Sequence, residues 1–217
     1  MLKKLFITLC LAVPLMTQAQ EFGIRAEVEL EKKLNDSFSG HLSAQTRFSS
    51  SAGTVMSYIS EAGLEYFIFK KLSISGFYRY IGTNYIDKDT PDVYHSFHRF
   101  ASNLTYEDEL LPWLDFENRL RYQNQFKDED YGLITTGRYF RNKMTFSYKN
   151  KTPFSPYLAG DVFYETSSGF DEIRCQAGVE YKFKNKNELD ISVMQDRSFK
   201  TGKAEHLVFA FIYKFKF

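Results

Sequence analysis

The sequence predicts an all-β fold: a transmembrane antiparallel up-and-down β-barrel of ten to twelve strands, following a cleaved signal peptide. Three observations carry this. The chain ends on Leu207–Phe217, where every odd position is apolar or aromatic; strict period-two alternation marks a strand with one continuous apolar face. Upstream, many segments of 12 residues or more alternate in the same way. Strands of soluble domains run to about 5–6 residues, whereas a tilted strand needs about 9–11 to cross a bilayer. Finally, aromatics reach 18% of the chain, with 22 Phe and 15 Tyr, enough for girdles at two interfaces.

The N-terminus reads as an export signal. Lys3 and Lys4 precede a mostly apolar run from Leu5 to Met16, and Thr17-Gln18-Ala19 offers small residues before a cut. Residues 1–19 are therefore expected to be a signal peptide and residues 20–217 one barrel domain. An anchor helix fits less well, because the run falls short of about 20 residues and contains Pro14. Cys10 is not a lipoprotein site, since the residue before it is Leu9. No other stretch could be a membrane-crossing helix, and mean hydropathy is −0.39. Net charge moves from +1 to −1 when Lys3 and Lys4 leave, a balance that does not suggest nucleic acid. Cys175 is then the sole cysteine, which excludes an internal disulfide.

Taken in order, the expected strands begin with 22–33, where Phe22, Ile24, Ala26, Val28 and Leu30 oppose Arg25, Glu27, Glu29 and Glu31. In 37–49, His41 and Ser43 share the polar face. Glu61 and Glu65 do so in 55–69, Arg79 in 72–84 and Arg99 in 92–107. In 113–126, Leu114, Phe116, Leu120 and Tyr122 oppose Glu117, Arg119, Arg121 and Gln123. Strand 133–149 carries Arg141 and Lys143; 154–166 carries Asp161 and Glu165. In 171–184, Cys175, Ala177, Val179, Tyr181 and Phe183 oppose Arg174, Gln176, Glu180 and Lys182. Asp190 lies in 187–199, and 203–217 ends the chain. Backbone groups in lipid must all be paired, so a closed sheet with its apolar face outward is the consistent solution.

Short connections are expected at 34–36, 70–71, 108–112, 150–153 and 185–186, and longer ones at 49–54, 84–91, 127–132, 167–170 and 200–203. Pro91, Pro112, Pro153 and Pro156 all fall in or beside connections, as a donor-free residue must. The segments number eleven, whereas single-chain bacterial barrels have even counts. Either one segment is misread, or the first strand closes in parallel with the last, or it lies inside the lumen.

The final strand resembles the last strand of bacterial outer-membrane barrels, down to the terminal Phe. The resemblance makes Phe209, Phe211, Tyr213, Phe215 and Phe217 the signal read by barrel-assembly machinery. The chain beyond residue 19 also resembles a family of outer-membrane barrels known as a domain of unknown function (DUF2490-like). The likeness rests on the order of Glu61-Ala62-Gly63-Leu64-Glu65-Tyr66, Gly76-Phe77-Tyr78-Arg79-Tyr80-Ile81, His98-Arg99-Phe100, Arg119-Leu120-Arg121-Tyr122-Gln123, Arg141-Asn142-Lys143, Pro156-Tyr157-Leu158 and Gly178-Val179-Glu180-Tyr181-Lys182. It implies an outer-membrane location and brings no catalytic residues.

The chemistry lies on the inward face. Early strands are acidic (Glu27, Glu29, Glu61, Glu65), middle strands mainly basic (Arg79, Arg99, Arg119, Arg121, Arg141, Lys143, with Glu117 among them), and later strands acidic again (Asp161, Glu165, Glu180, Asp190). Closure is expected to set the acids against the arginines across the lumen. That network either plugs and stabilises the barrel, since buried charges need partners, or lines a narrow channel for small solutes. Apolar inward positions Val208, Ala210 and Ile212 leave room for a partly greasy wall. A lipid-modifying or hydrolytic enzyme is the rival class. It has poor candidates: His41 with Ser43 lacks a third member, and His98, Ser102 and Asn118 are expected on the outer face, with Ser102 opposite Asn118. Asp87, Asp89, Asp92 and His95 read as a surface loop. Short loops argue against an adhesin. We expect no enzyme, cofactor or metal, and a monomer whose partners are outer-membrane lipids and the assembly machinery.

Overall fold

The computed structural model describes residues 21–48, 55–85, 93–149 and 151–217. These form eleven strands: β1 (Glu21–Lys33), β2 (Phe38–Phe48), β3 (Val55–Phe69), β4 (Leu72–Tyr85), β5 (Val93–Leu111), β6 (Leu114–Glu129), β7 (Gly132–Tyr148), β8 (Phe154–Glu165), β9 (Gly169–Lys182), β10 (Glu188–Ser198) and β11 (Ala204–Lys216). Each pairs with its neighbours in sequence, and β1 pairs with β11. The sheet therefore has no free edge on which another chain could add. The expected signal peptide, 1–19, and the connections at 49–54 and 86–92 lie outside the described residues.

The barrel is not antiparallel throughout. Ten pairings are antiparallel, but β1 and β11 run in parallel from Glu21↔His206 to Glu31↔Lys216. Strands that reverse at every connection leave the first and last of an odd number pointing the same way. Only a parallel seam then closes the sheet. It is extended at the C-terminal rim, where the Phe217 amide donates to the Glu31 carbonyl at 3.0 Å.

Two connections expected to be long are tight. β6 runs to Glu129 and β7 starts at Gly132, leaving Asp130 and Tyr131 between them. Gly132 has φ 117°, a backbone region that glycine enters without a Cβ penalty. Gly169, at φ 87°, likewise lets β9 begin straight after residues 166–168. Pro112 occupies a turn, Pro153 precedes β8, and Pro156 is the third residue of β8.

The pleat sorts side chains as the alternation requires. Leu42, Tyr58, Leu64, Phe100, Phe209 and Phe211 are all exposed on the outer face. Ala210 and Ile212, which alternate with those last two on β11, are buried inward. Rings on neighbouring strands touch on the outside, as Tyr122 and Phe140 do at 5.1 Å and Phe116 and Phe146 at 5.2 Å. No helix among the described residues is long and apolar enough to cross a membrane, which says nothing of crossing by strands.

Candidate functional site

Among the described residues, two cavities that share lining residues lie in the interior. The larger, about 600 Å³, extends from Arg47 and Gln125 towards the rim opposite the C-terminus down to Ser147. The smaller, about 230 Å³, lies towards the C-terminal rim and is lined by Glu31, His41, Glu65 and Glu107. Glu29, Glu61, Glu117, Arg119, Arg121 and Lys214 line both and form a charged belt between them. Of the expected lumen charges, Glu27, Arg79, Arg99, Arg141, Lys143, Asp161, Glu180 and Asp190 also line the larger cavity. Glu165 lines neither; it sits at the rim, accepting from Ser168 Oγ and lying 3.9 Å from Lys200 Nζ.

The charges pair along the wall rather than across the lumen. Arg79 Nε donates to Glu61 Oε2 on the adjacent strand at 2.7 Å. Arg141 pairs with Asp161 between β7 and β8. Arg174 grips Asp196 with two bonds of 2.5 and 2.7 Å between β9 and β10. Arg25 pairs with Glu27 within β1. Lys214 reaches Glu180 at 3.3 Å across β10. Neighbouring strands stand about 4.8 Å apart, so a long side chain finds its lateral neighbour before it finds the far wall. The expected map, acid then base then acid, also omitted Arg25, Arg47, Arg174 and Lys214, which set cations among the first and last strands. Arg47 was legible in principle: Ser39, His41, Ser43, Gln45 and Arg47 alternate along one face of β2.

Register places several cations directly opposite one another: Arg25↔Arg47, Arg79↔Arg99, Arg121↔Arg141 and Arg119↔Lys143. Like charges opposed across strands are destabilising. Neutral amides and rings take up part of the contact. Arg121 Nε donates to Asn103 Oδ1 at 2.6 Å and Lys143 Nζ to Gln176 Oε1 at 3.2 Å. The Arg141 and Arg174 guanidinium carbons lie 4.1 and 5.2 Å from the centroid of the Phe163 ring, close enough for a cation–π contribution.

Two inward glycines make room for rings inside the lumen. Gly63 pairs with Phe77 and Gly178 with Tyr157. A Cβ on Gly178 would sit 2.6 Å from Tyr157 Cζ, so only glycine lets the ring lie across the next strand. From there the Tyr157 hydroxyl donates to Asp190 at 2.9 Å and accepts from Gln176 Nε2 at 2.8 Å. Phe77 in turn packs its ring 5.8 Å from that of His41.

The histidine candidates resolve differently. His41 Nε2 lies 3.2 Å from Glu65 Oε2, a third member that sequence spacing did not reveal. The hydroxyl on this chain is that of Ser73, donating to Glu65 Oε1 at 2.6 Å and not to the imidazole. A serine nucleophile needs its hydrogen bond to the base, so the arrangement is Ser–Glu–His, with the carboxylate in the middle. His98 does lie on the outer face, its Nδ1 2.7 Å from the Tyr78 hydroxyl. Ser102 lies opposite Tyr122, not Asn118; Asn118 is opposite Tyr106 and donates to Asn142 at 3.2 Å. The β5–β6 turn is shorter than expected, which moves the register by four residues. Asp87, Asp89 and Asp92 lie outside the described residues.

On β11, Phe209 and Phe211 are exposed and Tyr213 and Phe215 half-buried, and Phe217, just past its end, is exposed. Tyr213 and Phe215 stack edge-on at 4.6 Å, and Phe215 lies 6.3 Å from Phe217. The wall as a whole, from β1 to the start of β11, is also what a family model recognises: residues 23–206 match the one described as "Protein of unknown function (DUF2490)". The chain belongs to this family. No curated protein matches it. In this DUF2490 barrel the match spans the charged lumen from Arg25 to Asp196, while the aromatic ladder of β11 lies beyond it.

Proposed function

We propose that this chain is a non-enzymatic outer-membrane β-barrel, structural or weakly pore-forming, whose lumen is narrowed by its own ion pairs. Residues 1–19 act as its export signal. It is a monomer, faces outer-membrane lipids, and is handled during insertion by barrel-assembly machinery through the β11 ladder ending at Phe217. The observation that carries this reading is the division of surfaces: large apolar side chains outside, a ring-closed hydrogen-bonded wall, and charges within. Eight strands suffice to enclose a lumen filled by side chains. Eleven enclose more, and here the additional room holds the belt of Glu29, Glu61, Glu117, Arg119, Arg121 and Lys214.

Planar-bilayer conductance of refolded protein tests this. The native chain is expected to pass little or no current, and Arg119→Ala with Arg121→Ala to raise it. Unchanged conductance together with unchanged thermal stability in that double variant would count against the belt. A narrow channel for small solutes is the second reading, favoured by the continuity of the two cavities through shared lining residues. A steady, ion-selective current from the native chain would decide for it. Phospholipid and peptide hydrolysis assays on the same preparation are expected to show no turnover.

A further inference from the structure

The lumen arginines are not equivalent. Arg25, Arg79, Arg141 and Arg174 each hold a carboxylate. Arg99 meets only a neutral amide, its Nε 3.0 Å from Gln125 Oε1. Arg47 has no hydrogen-bond or ion-pair partner among the described residues, and its side chain is exposed in the larger cavity. Each of these two lies directly across from an arginine that is already satisfied: Arg47 from Arg25, Arg99 from Arg79. The charges acting most strongly on Arg47 are Arg25, Arg79, Arg174 and Arg99, all cations. Of the carboxylates that line the same cavity, Glu27 and Glu61 are bound by Arg25 and Arg79, and Asp171 and Glu172 near the rim by Lys200 and Arg174. Among the described residues, therefore, two positive charges face one water-accessible space without a carboxylate bonded to either, an arrangement that a resident anion would stabilise.

We propose that Arg47 and Arg99 form a binding site for a small divalent oxyanion of the phosphate class, in the mouth of the lumen away from the C-terminal rim. Guanidinium groups bind such oxyanions through paired N–H bonds, which chloride cannot reproduce. Arg47 is the next-to-last residue of β2, so the site opens at that rim. A cavity of about 600 Å³ admits a hydrated oxyanion. The inference deepens the lumen reading above by naming a ligand class, and it rests on that lumen being reachable by water.

The test is calorimetric titration of refolded barrel in detergent with inorganic phosphate at pH 7.5, against chloride at equal ionic strength. One phosphate per chain is expected, with little heat from chloride. Arg47→Gln and Arg99→Gln should each weaken binding at least about tenfold, whereas Lys151→Gln, in an exposed turn, should not. Retained circular dichroism and an unchanged thermal midpoint without phosphate keep a lost signal from being read as misfolding. If a variant does not refold, the thermal shift of the native protein with phosphate, absent with chloride at equal ionic strength, replaces the comparison of variants. Phosphate heat no greater than chloride heat, or equal affinity in both arginine variants, overturns the site. Conductance separates the two proposals: phosphate binding in a barrel that passes no current sustains the site without the channel, and current without phosphate preference does the reverse.

Discussion

Asp161 offers the most demanding test of the wall-pairing arrangement. Its side chain is 5% exposed and accepts from Arg141, itself only 13% exposed. Its cross-strand neighbours are Lys143 on β7 and Arg174 on β9. Asp161→Ala would therefore leave three cations around an apolar methyl. Removing one member of a buried pair costs about 3–5 kcal/mol, because the other charge stays behind uncompensated. Water in the adjoining cavity softens that penalty, so the lower end, about 3 kcal/mol, is expected. The assay is reversible urea unfolding in detergent micelles or lipid vesicles, followed through Trp113, the single tryptophan, whose ring lies 6.2 Å from that of Tyr148 at the C-terminal rim. Arg141→Ala combined with Asp161→Ala should be less destabilised than the sum of the single changes by about 1 kcal/mol or more. Raising salt towards about 1 M, where the screening length falls to about 3 Å, should partly rescue Asp161→Ala. A loss below about 0.5 kcal/mol, the range of an ordinary surface change, or strict additivity in the double variant, would refute the reasoning.

Three further outcomes are expected. Gly178→Ala would drive Tyr157 from its place over the adjacent strand, costing about 1–3 kcal/mol as an overpacked site; a denaturation midpoint equal to that of the native chain would contradict this. Deleting Phe217 should lower the yield of membrane-inserted, heat-modifiable barrel in cells while leaving detergent refolding nearly intact, and equal yields would remove the insertion role of the β11 ladder. At the C-terminal rim, Lys71 Nζ donates to Asp108 at 2.5 Å, and Tyr106 and the Glu109 amide also donate to it, which together hold its carboxyl down to about 2. A depressed folded-state pKa contributes protection that is present above the unfolded value near 3.8 and lost as pH falls through about 2. Carboxyl NMR titration should show that low midpoint and its rise in Lys71→Gln, and a native midpoint near 3.8 would rule the cluster out.

Much of the barrel was legible because alternation is a local property. All eleven segments form strands, and parity alone put Glu61, Arg99 and Asp161 inward and Phe209 and Phe211 outward. Glycine's turn-forming capacity was underused: Gly132 and Gly169 shorten connections that composition suggested were long. The lumen was harder. Glu65 became the partner of His41 only through the pairing of β2 with β3, which aligns residues 24 positions apart in the chain.

By itself the sequence determined that this chain builds long two-faced strands, since the pleat repeats every two residues and needs no distant partner to declare its faces. Tertiary structure alone decided the parallel β1–β11 seam, the lateral ion pairs, and which described arginines, Arg47 and Arg99 among them, hold no carboxylate. Those depend on register, which is set between strands far apart in sequence, where a shift of one residue would turn every inward charge outward.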